Sequence, residues 1–308
     1  MNIVIPTTEN IKAASRIIEE GGVVVMPTET VYGLACDALN DAAVQKVFSI
    51  KGRPDDNPLI VHLGDVQELD AVAESVPEEA LVLAHRFWPG PLTLVLPKKP
   101  SVPYRTTGGL DTVAVRVPNH PVALALIREC GRPLAAPSAN LFTELSPTSA
   151  QDVDPSIQQR VGMVLDGGPC SVGLESTVLD LSTGQPQILR PGDVSRAEIQ
   201  AVLGMPLGIV PPPSVRKSPG LYRRHYAPRA TVKIVEKLRD GQPGLMFGEP
   251  TAATQVKMPF EPKAYAANLY SAMKRLDDLG VDEINIEAPP ANAHWEAIND
   301  RLRKASSS

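Results

Sequence analysis

Read from its residues alone, the sequence predicts an α/β or α+β sheet domain over residues 1–203, a linker over 204–230 and a smaller α/β domain over 231–308. Three observations carry that expectation. Segments with apolar residues at helical spacing alternate with short apolar runs of strand length. Thr112-Val113-Ala114-Val115-Arg116-Val117 alternates strictly, which is the period of a strand. Pro211-Pro212-Pro213, within Gly204–Gly220, favours extended polyproline geometry and cannot sustain a helix, so it marks the boundary. At about 150 residues per domain, 308 residues make two.

The elements follow in chain order. From Thr8, the residues Ile11, Ala14, Ile17 and Ile18 recur at helical spacing, and Gly21-Gly22 supplies the stop. Val23–Met26 reads as a buried strand that Pro27 ends, delivering Thr28-Glu29-Thr30 into a loop. Asn40 or Asp41 caps a helix carrying Val44, Val47 and Phe48 on one face. Strands are expected at Leu59–Leu63 and Thr93–Leu96, with a helix through Ala80, Leu81, Ala84 and Phe87 between them. In the alternating segment Val113, Val115 and Val117 face a core, while Thr112, Ala114 and Arg116 face something polar. A helix over Pro121–Glu129, strands at Leu134–Ala136, Met163–Asp166 and Thr177–Leu181, and a helix from Ser195 to Leu203 complete the first domain. Beyond the linker come a strand at Thr231–Val235, an apolar piece at Gly244–Phe247 and an amphipathic helix with Leu269, Met273, Leu276 and Leu279, closed by Gly280. A strand at Glu283–Glu287, a helix to Lys304 and a frayed tail at Ser306–Ser308 end the chain.

Composition narrows the function classes. Hydrophobic residues make up 43% of the chain and charged residues 21%, and no apolar run approaches the ~20 residues of a bilayer span, so a membrane protein is not expected. The N-terminal residues show no secretory pattern, which makes the cytoplasm the expected location. A net charge of −5 argues against an extended nucleic-acid surface while leaving room for a local basic pocket. Cys36, Cys130 and Cys170 lie too far apart for metal-ligand spacing or a disulfide framework and read as reduced thiols, so no protein metal site is expected.

Several loops carry candidate chemistry. Lys51-Gly52-Arg53-Pro54 is either a solvated basic turn or a pair of cations converging on one polyanion, with Asn57-Pro58 and His62 close behind. Pro137-Ser138-Ala139-Asn140 follows an apolar run, and ligands bind past strand ends in open α/β sheets. Ser146-Pro147-Thr148 and Glu175-Ser176-Thr177 repeat those residue types, which also make ordinary turns and caps. Arg116 and Arg190 add two further cations. No phosphate loop of the G-x-x-x-x-G-K-[ST] kind, no G-x-G-x-x-G and no G-x-S-x-G occurs, so a nucleotide site must be built another way.

The ordered motifs resemble a known family. Pro27-Thr28-Glu29-Thr30-Val31-Tyr32-Gly33-Leu34, Lys51-Gly52-Arg53-Pro54 with Asn57-Pro58-Leu59, Val115-Arg116-Val117-Pro118, Ser138-Ala139-Asn140 with Ser146-Pro147-Thr148, Glu175-Ser176-Thr177-Val178 and Arg190-Pro191-Gly192 resemble the YrdC-type threonylcarbamoyl-AMP synthases. Ser218-Pro219-Gly220 with His225-Tyr226-Ala227-Pro228 resembles the linker of the long, two-domain form, and Asn268-Leu269-Tyr270 with Asn299-Asp300-Arg301-Leu302 its C-terminal domain. The resemblance implies a twisted mixed-sheet YrdC-like domain followed by a smaller Rossmann-like α/β domain. It implies an enzyme that joins L-threonine, bicarbonate or CO2, and ATP into threonylcarbamoyl-adenylate, with Mg²⁺ on the phosphates and other proteins passing the group to tRNA.

By the same resemblance Thr30, His62, Arg116, Ala136 and Ser176 surround threonine. Arg53, Asn57, Thr112, Ser138, Ser146, Arg190 and Tyr226 contact ATP or the adenylate, and Lys51 with Arg53 carries the catalytic charge near the phosphates. The linker, with Arg223, Arg224, His225 and Tyr226 between Pro219 and Pro228, is expected to act as a lid. The chain departs from the family in Leu141-Phe142-Thr143-Glu144, where a glycine is usual, and in a shorter C-terminal unit. An RNA-binding or regulatory module of the same fold is the competing class, and a carbamoyl-transfer factor with zinc fingers is disfavoured by the lack of cysteine pairs.

Overall fold

The structure, a computed structural model, describes residues 2–54, 56–208 and 225–307. Ten strands of the first domain form a mixed sheet in the order Ile3–Val4, Met163–Leu165, Val24–Met26, Gly33–Asp37, Leu134–Ala135, Ile60–His62, Thr112–Arg116, Leu92–Pro97, Thr177–Asp180, Gln187–Arg190. Helices cover it. Thr8–Glu19 and Pro121–Cys130 pack together against one cluster of buried aliphatic residues, and Asp41–Lys51, Glu78–Phe87 and Arg196–Leu203 pack on the larger core. The bulk of the expected pattern is present. Asn40 is the cap of Asp41–Lys51, its side chain accepting from the amides of Ala42 and Ala43, and Ser195 with Glu198 closes a capping box on Arg196–Leu203.

Strand Thr112–Arg116 corrects one expectation. Val113 and Val115 enter the large core as predicted, but the opposite face is also dry: Ala114 packs with Ile60, Val95 and Val178 in a small apolar cluster. That face is apolar at its centre and polar at its ends, and at one of them parallel pairing sets His62 beside Arg116. That register places both on one face, because Ile60 and Ala114 are paired two residues earlier.

The second domain is a parallel four-stranded sheet in the order Thr231–Val235, Glu283–Glu287, Gly244–Met246, Gln255–Lys257, with helices Pro262–Asp278 and Glu296–Ala305. Leu269, Met273 and Leu276 are buried as the amphipathic pattern requires, whereas Leu279 caps its helix and is exposed. The domains share core: Val31 and Leu174 of the first belong to the apolar cluster of the second. Gly173 makes this contact possible, since a Cβ there would lie 2.6 Å from the Cα of Ala267. No helix of the described residues is long and apolar enough to cross a membrane.

Candidate active site

A cavity of about 50 Å³ opens where the ends of several strands meet the second domain, and its walls include Thr30, Lys51, Arg53, His62, Arg116 and Ala136. Ser138, Ser176, Arg190 and Tyr226 complete the set of sequence-expected residues on those walls. A larger cleft of about 680 Å³ between the Asp193–Glu198 segment and Phe260–Lys263 holds none of them.

Arg116 is the hub of one end. Its Nε donates to His62 Nε2 at 3.0 Å, Nη1 to Glu29 Oε1 at 3.2 Å, and Nη2 to the hydroxyls of Thr28 and Thr30 at 3.2 and 2.9 Å. Because a guanidinium only donates, His62 Nε2 accepts, and the ring proton sits on Nδ1 facing the Ile60 carbonyl 3.2 Å away. Burial and then the Arg116 charge hold His62 well below the ordinary imidazole value, so it is neutral. Glu29 also accepts from the Asn119 amide at 3.1 Å, which anchors the counter-ion to the loop after the Arg116 strand. The guanidinium is thus fixed in orientation before any ligand arrives.

Lys51 and Arg53 flank Gly52, which takes the left-handed conformation at φ 60 and turns the chain out of helix Asp41–Lys51. Lys51 Nζ donates to the carbonyls of Ser138 and Asn140 and, at 3.4 Å, to Asn140 Oδ1. An ammonium has three protons, and the Ser138–Asn140 loop presents three acceptors. Lys51 therefore shapes that loop as well as lining the cavity. Burial first, then Arg53, pushes its pKa well below the ordinary lysine range. Arg53 Nη2 reaches the Asn57 and Pro58 carbonyls at 3.2 and 2.8 Å.

At the other wall Arg190 fixes Ser176: Nε donates to its carbonyl at 3.0 Å and Nη2 to its hydroxyl at 3.1 Å, while Thr93 Oγ1 lies 2.8 Å from the same hydroxyl. Gly192 permits this turn, because a Cβ would come within 2.3 Å of the Thr177 nitrogen and 2.6 Å of the Ser176 carbonyl carbon. The neighbouring Glu175 receives Ser146 Oγ at 2.6 Å, Tyr270 OH at 3.0 Å and Arg301 Nε at 2.8 Å. Burial works against its charge, but Arg301, Arg190 and the Ser146 hydrogen bond outweigh it and hold the carboxyl down at about 2.

Tyr226 lies beside this group, buried, at φ 58, with its ring stacked on Tyr270 at 6.0 Å and the Arg301 guanidinium 4.9 Å from its centroid. His225 packs edge-on against it at 4.1 Å. Burial, against the pull of Glu175 and with Arg53, Lys51 and Lys304 assisting, takes His225 down to about 3. Thr143 also has positive φ, 72, and its carbonyl accepts from Ala227, so the Leu141–Glu144 stretch, where a glycine is usual, contains a left-handed residue despite its β-branched side chain.

Three expected residues lie off the cavity wall. Asn57 is buried behind Arg53 with both side-chain polar atoms unpartnered among the described residues. Thr112 sits at the opposite end of its strand from Arg116, about 13 Å away at strand rise. Ser146 is turned to Glu175. Conversely, Glu29, Glu175, Asn140, Thr143, His225, Tyr270 and Arg301 build or brace the site without having been singled out as ligands. Glu29 and Glu175 stand inside the quoted motifs, so their motif position was the available signal; for Tyr270 and Arg301 only the motifs of the second domain pointed to them. The expected lid residues Arg223 and Arg224, and Ser218 to Gly220, lie outside the described residues.

Comparison with known proteins agrees across both domains. A model of the Sua5, YciO and YrdC proteins, described as telomere recombination, matches residues 16–192, and one described as the C-terminal domain of threonylcarbamoyl-AMP synthase matches residues 194–307. A threonylcarbamoyl-AMP synthase of Pyrococcus abyssi is 42% identical over 333 aligned positions, covering 99% of this chain and 98% of that protein. A Xanthomonas campestris protein of the same name is 38% identical over 184 positions, 58% of this chain but 97% of its own length. The crystal structure of P. abyssi Sua5 complexed with L-threonine superposes with a TM-score of 0.91 at 43% identity, covering 97% of this chain and 94% of that one.

Proposed function

We infer the activity from one premise: this chain belongs to the Sua5, YciO and YrdC family, and has the long form that includes the synthase C-terminal domain. It is an L-threonylcarbamoyladenylate synthase, a nucleotidyltransferase that forms threonylcarbamoyl-AMP and pyrophosphate from L-threonine, bicarbonate or CO2, and ATP. The observation that carries this reading is the meeting, on one cavity, of a fixed guanidinium with polar neighbours at one end, Lys51 and Arg53 at the other, and Arg190 on Ser176. One end suits an amino-acid carboxylate and the other a triphosphate.

The chemistry needs no protein nucleophile. The threonine amine attacks CO2, forming a C–N bond and losing a proton to give a carbamate. A carbamate oxygen then attacks the α-phosphorus, and the bond to pyrophosphate breaks in line. Arg116 has one N–H beyond its four partners, so the threonine carboxylate joins an existing network that already holds Thr30 rather than taking the guanidinium as a free fork, with Ser176, held by Arg190, lining the same cavity. Arg53, Arg190 and Lys51 offset the charge growing on the phosphates. Ser138 and Ala136 supply the floor between the two ends. Magnesium would arrive on the triphosphate with its water shell, since no group of three or more His, Cys, Asp or Glu among the described residues is arranged to hold an ion.

Drug-sized sites measure roughly 300–1,000 Å³, so a nucleotide cannot enter the 50 Å³ cavity unless its walls move. Tyr226 and His225, which follow the expected lid residues, form part of that wall. The product's carbamate and adenylate are both hydrolysable, so a second protein that transfers the group to tRNA completes the reading, in the cytoplasm, where three buried free thiols persist. The test is direct. Purified protein with ATP and bicarbonate should release pyrophosphate only when L-threonine is added; release that ignores threonine would refute the assignment.

A further inference from the structure

A short relative of the same name matches only 58% of this chain over nearly its whole length, yet here the second domain reaches the cavity wall. Glu175 is a carboxylate on that wall, and in the synthase reading, on which this inference rests, ATP is a polyanion and threonine brings a carboxylate of its own. An uncompensated carboxylate there would repel them, since unit charges interact strongly across a partly dry site. Of its three side-chain donors, Ser146 comes from the first domain, while Tyr270 and Arg301 come from the second. Arg301 is fully buried and is itself held, with Nη1 on Asp300 Oδ2 at 2.8 Å and that carboxylate also accepting from Lys304 at 2.7 Å. Its Nη2 reaches the Glu175 carbonyl at 3.3 Å, one residue from Ser176. The same pair touches Tyr226, by ring stacking from Tyr270 and by the Arg301 face-on cation.

We propose that Arg301 and Tyr270 are positioning residues for the reaction: they neutralise and hold Glu175 on the cavity wall, and through it Ser146 and the Ser176 turn, while bracing Tyr226. The second domain is therefore an electrostatic part of the nucleotide site. Neither residue lines the cavity; both act through Glu175 first and through Tyr226 second.

A mutant cycle tests this, reading the Kd of α,β-methylene-ATP by calorimetry, KM for ATP against kcat, and thermal midpoint in the full chain. Arg301→Met should raise Kd and KM for ATP at least tenfold with a smaller change in kcat. Adding Glu175→Gln to the same chain should bring Kd back to within about threefold of wild type, because the repelling charge is gone. Arg301→Lys should rescue partly, and Tyr270→Phe should raise Kd two- to fourfold with the chain folded. Should Arg301→Met not fold, the lysine and phenylalanine variants carry the test. Independent, additive losses in the double variant, or an unchanged Kd in Tyr270→Phe and Arg301→Lys, would overturn the proposal. Failure of the wild-type chain to bind the analogue would instead remove the synthase reading, and this proposal with it.

Discussion

Arg116 and Arg301 are both buried against a carboxylate, yet they sit in different kinds of place. Arg116 meets Glu29 at 3.2 Å inside one domain, and its remaining donors spread over His62, Thr28 and Thr30 on the cavity wall. Arg301 meets Glu175 at 2.8 Å across the domain boundary and faces a tyrosine that the linker delivers. Burying an ion pair seldom adds net stability, but breaking one strands a charge at a cost of about 3–5 kcal/mol. Each pair therefore makes more sense as a device for placement: one orients the guanidinium on the cavity wall within the first domain, and the other joins the two domains at that wall.

The largest effect expected from disturbing this arrangement is on the first arginine. Arg116→Ala should weaken threonine binding by about 2–4 kcal/mol, much more than it weakens ATP-analogue binding. The stranded Glu29 should also lower the denaturation midpoint, and an unchanged threonine affinity would contradict the placement. Next in size is Gly192→Ala, whose Cβ would press on the Ser176–Thr177 main chain, with an expected loss of about 3 kcal/mol in urea unfolding. A wild-type midpoint in that variant would show that the Ser176 turn is not tightly held. Replacing Lys51 or Arg53 with Ala should depress turnover even at saturating threonine, and near-normal turnover in both would return them to the role of a basic turn.

Acid should expose the linker side of the comparison. His225 is near 3 when folded, against about 6.5 unfolded, so the folded state binds fewer protons in that window. The stability this represents is present above pH 6.5 and is lost as the pH falls toward 3, about 2 kcal/mol of it by pH 5. His62 shifts in the same direction, and Glu175 adds a loss from about 4.5 down to about 2. Unfolding at pH 7 and pH 5 should show the drop, and His225→Gln should flatten it by the linker's share; an equal drop in the variant would place the titration elsewhere. The smallest effect is a gain. Thr143→Gly should relieve a β-branched residue at φ 72 and add about 1 kcal/mol in urea unfolding, and a lowered midpoint would show that the left-handed backbone carries no such strain.

Much of the cavity wall around Arg116 was legible because its parts lie in short, ordered motifs near strand ends, where period and punctuation speak for themselves. The alternation over residues 112–117 put Arg116 on the opposite face from Val113, Val115 and Val117, and the register with His62 then followed from parallel pairing. Strand Gly33–Asp37 was not, since it is buried on both faces and shows no alternation. Nor could spacing show that Ser146 turns to Glu175, that Lys51 spends its protons on the Ser138–Asn140 loop, or that Arg301 returns from 126 residues away to the same wall. These are consequences of how the two domains dock, and docking leaves no local period to read.

The most direct measurement follows the carbon. With labelled bicarbonate, ATP and L-threonine, the account predicts that label enters an adenylate containing threonine, with one pyrophosphate released for each molecule formed. Label that stays in bicarbonate while ATP is cleaved to ADP and phosphate would contradict it.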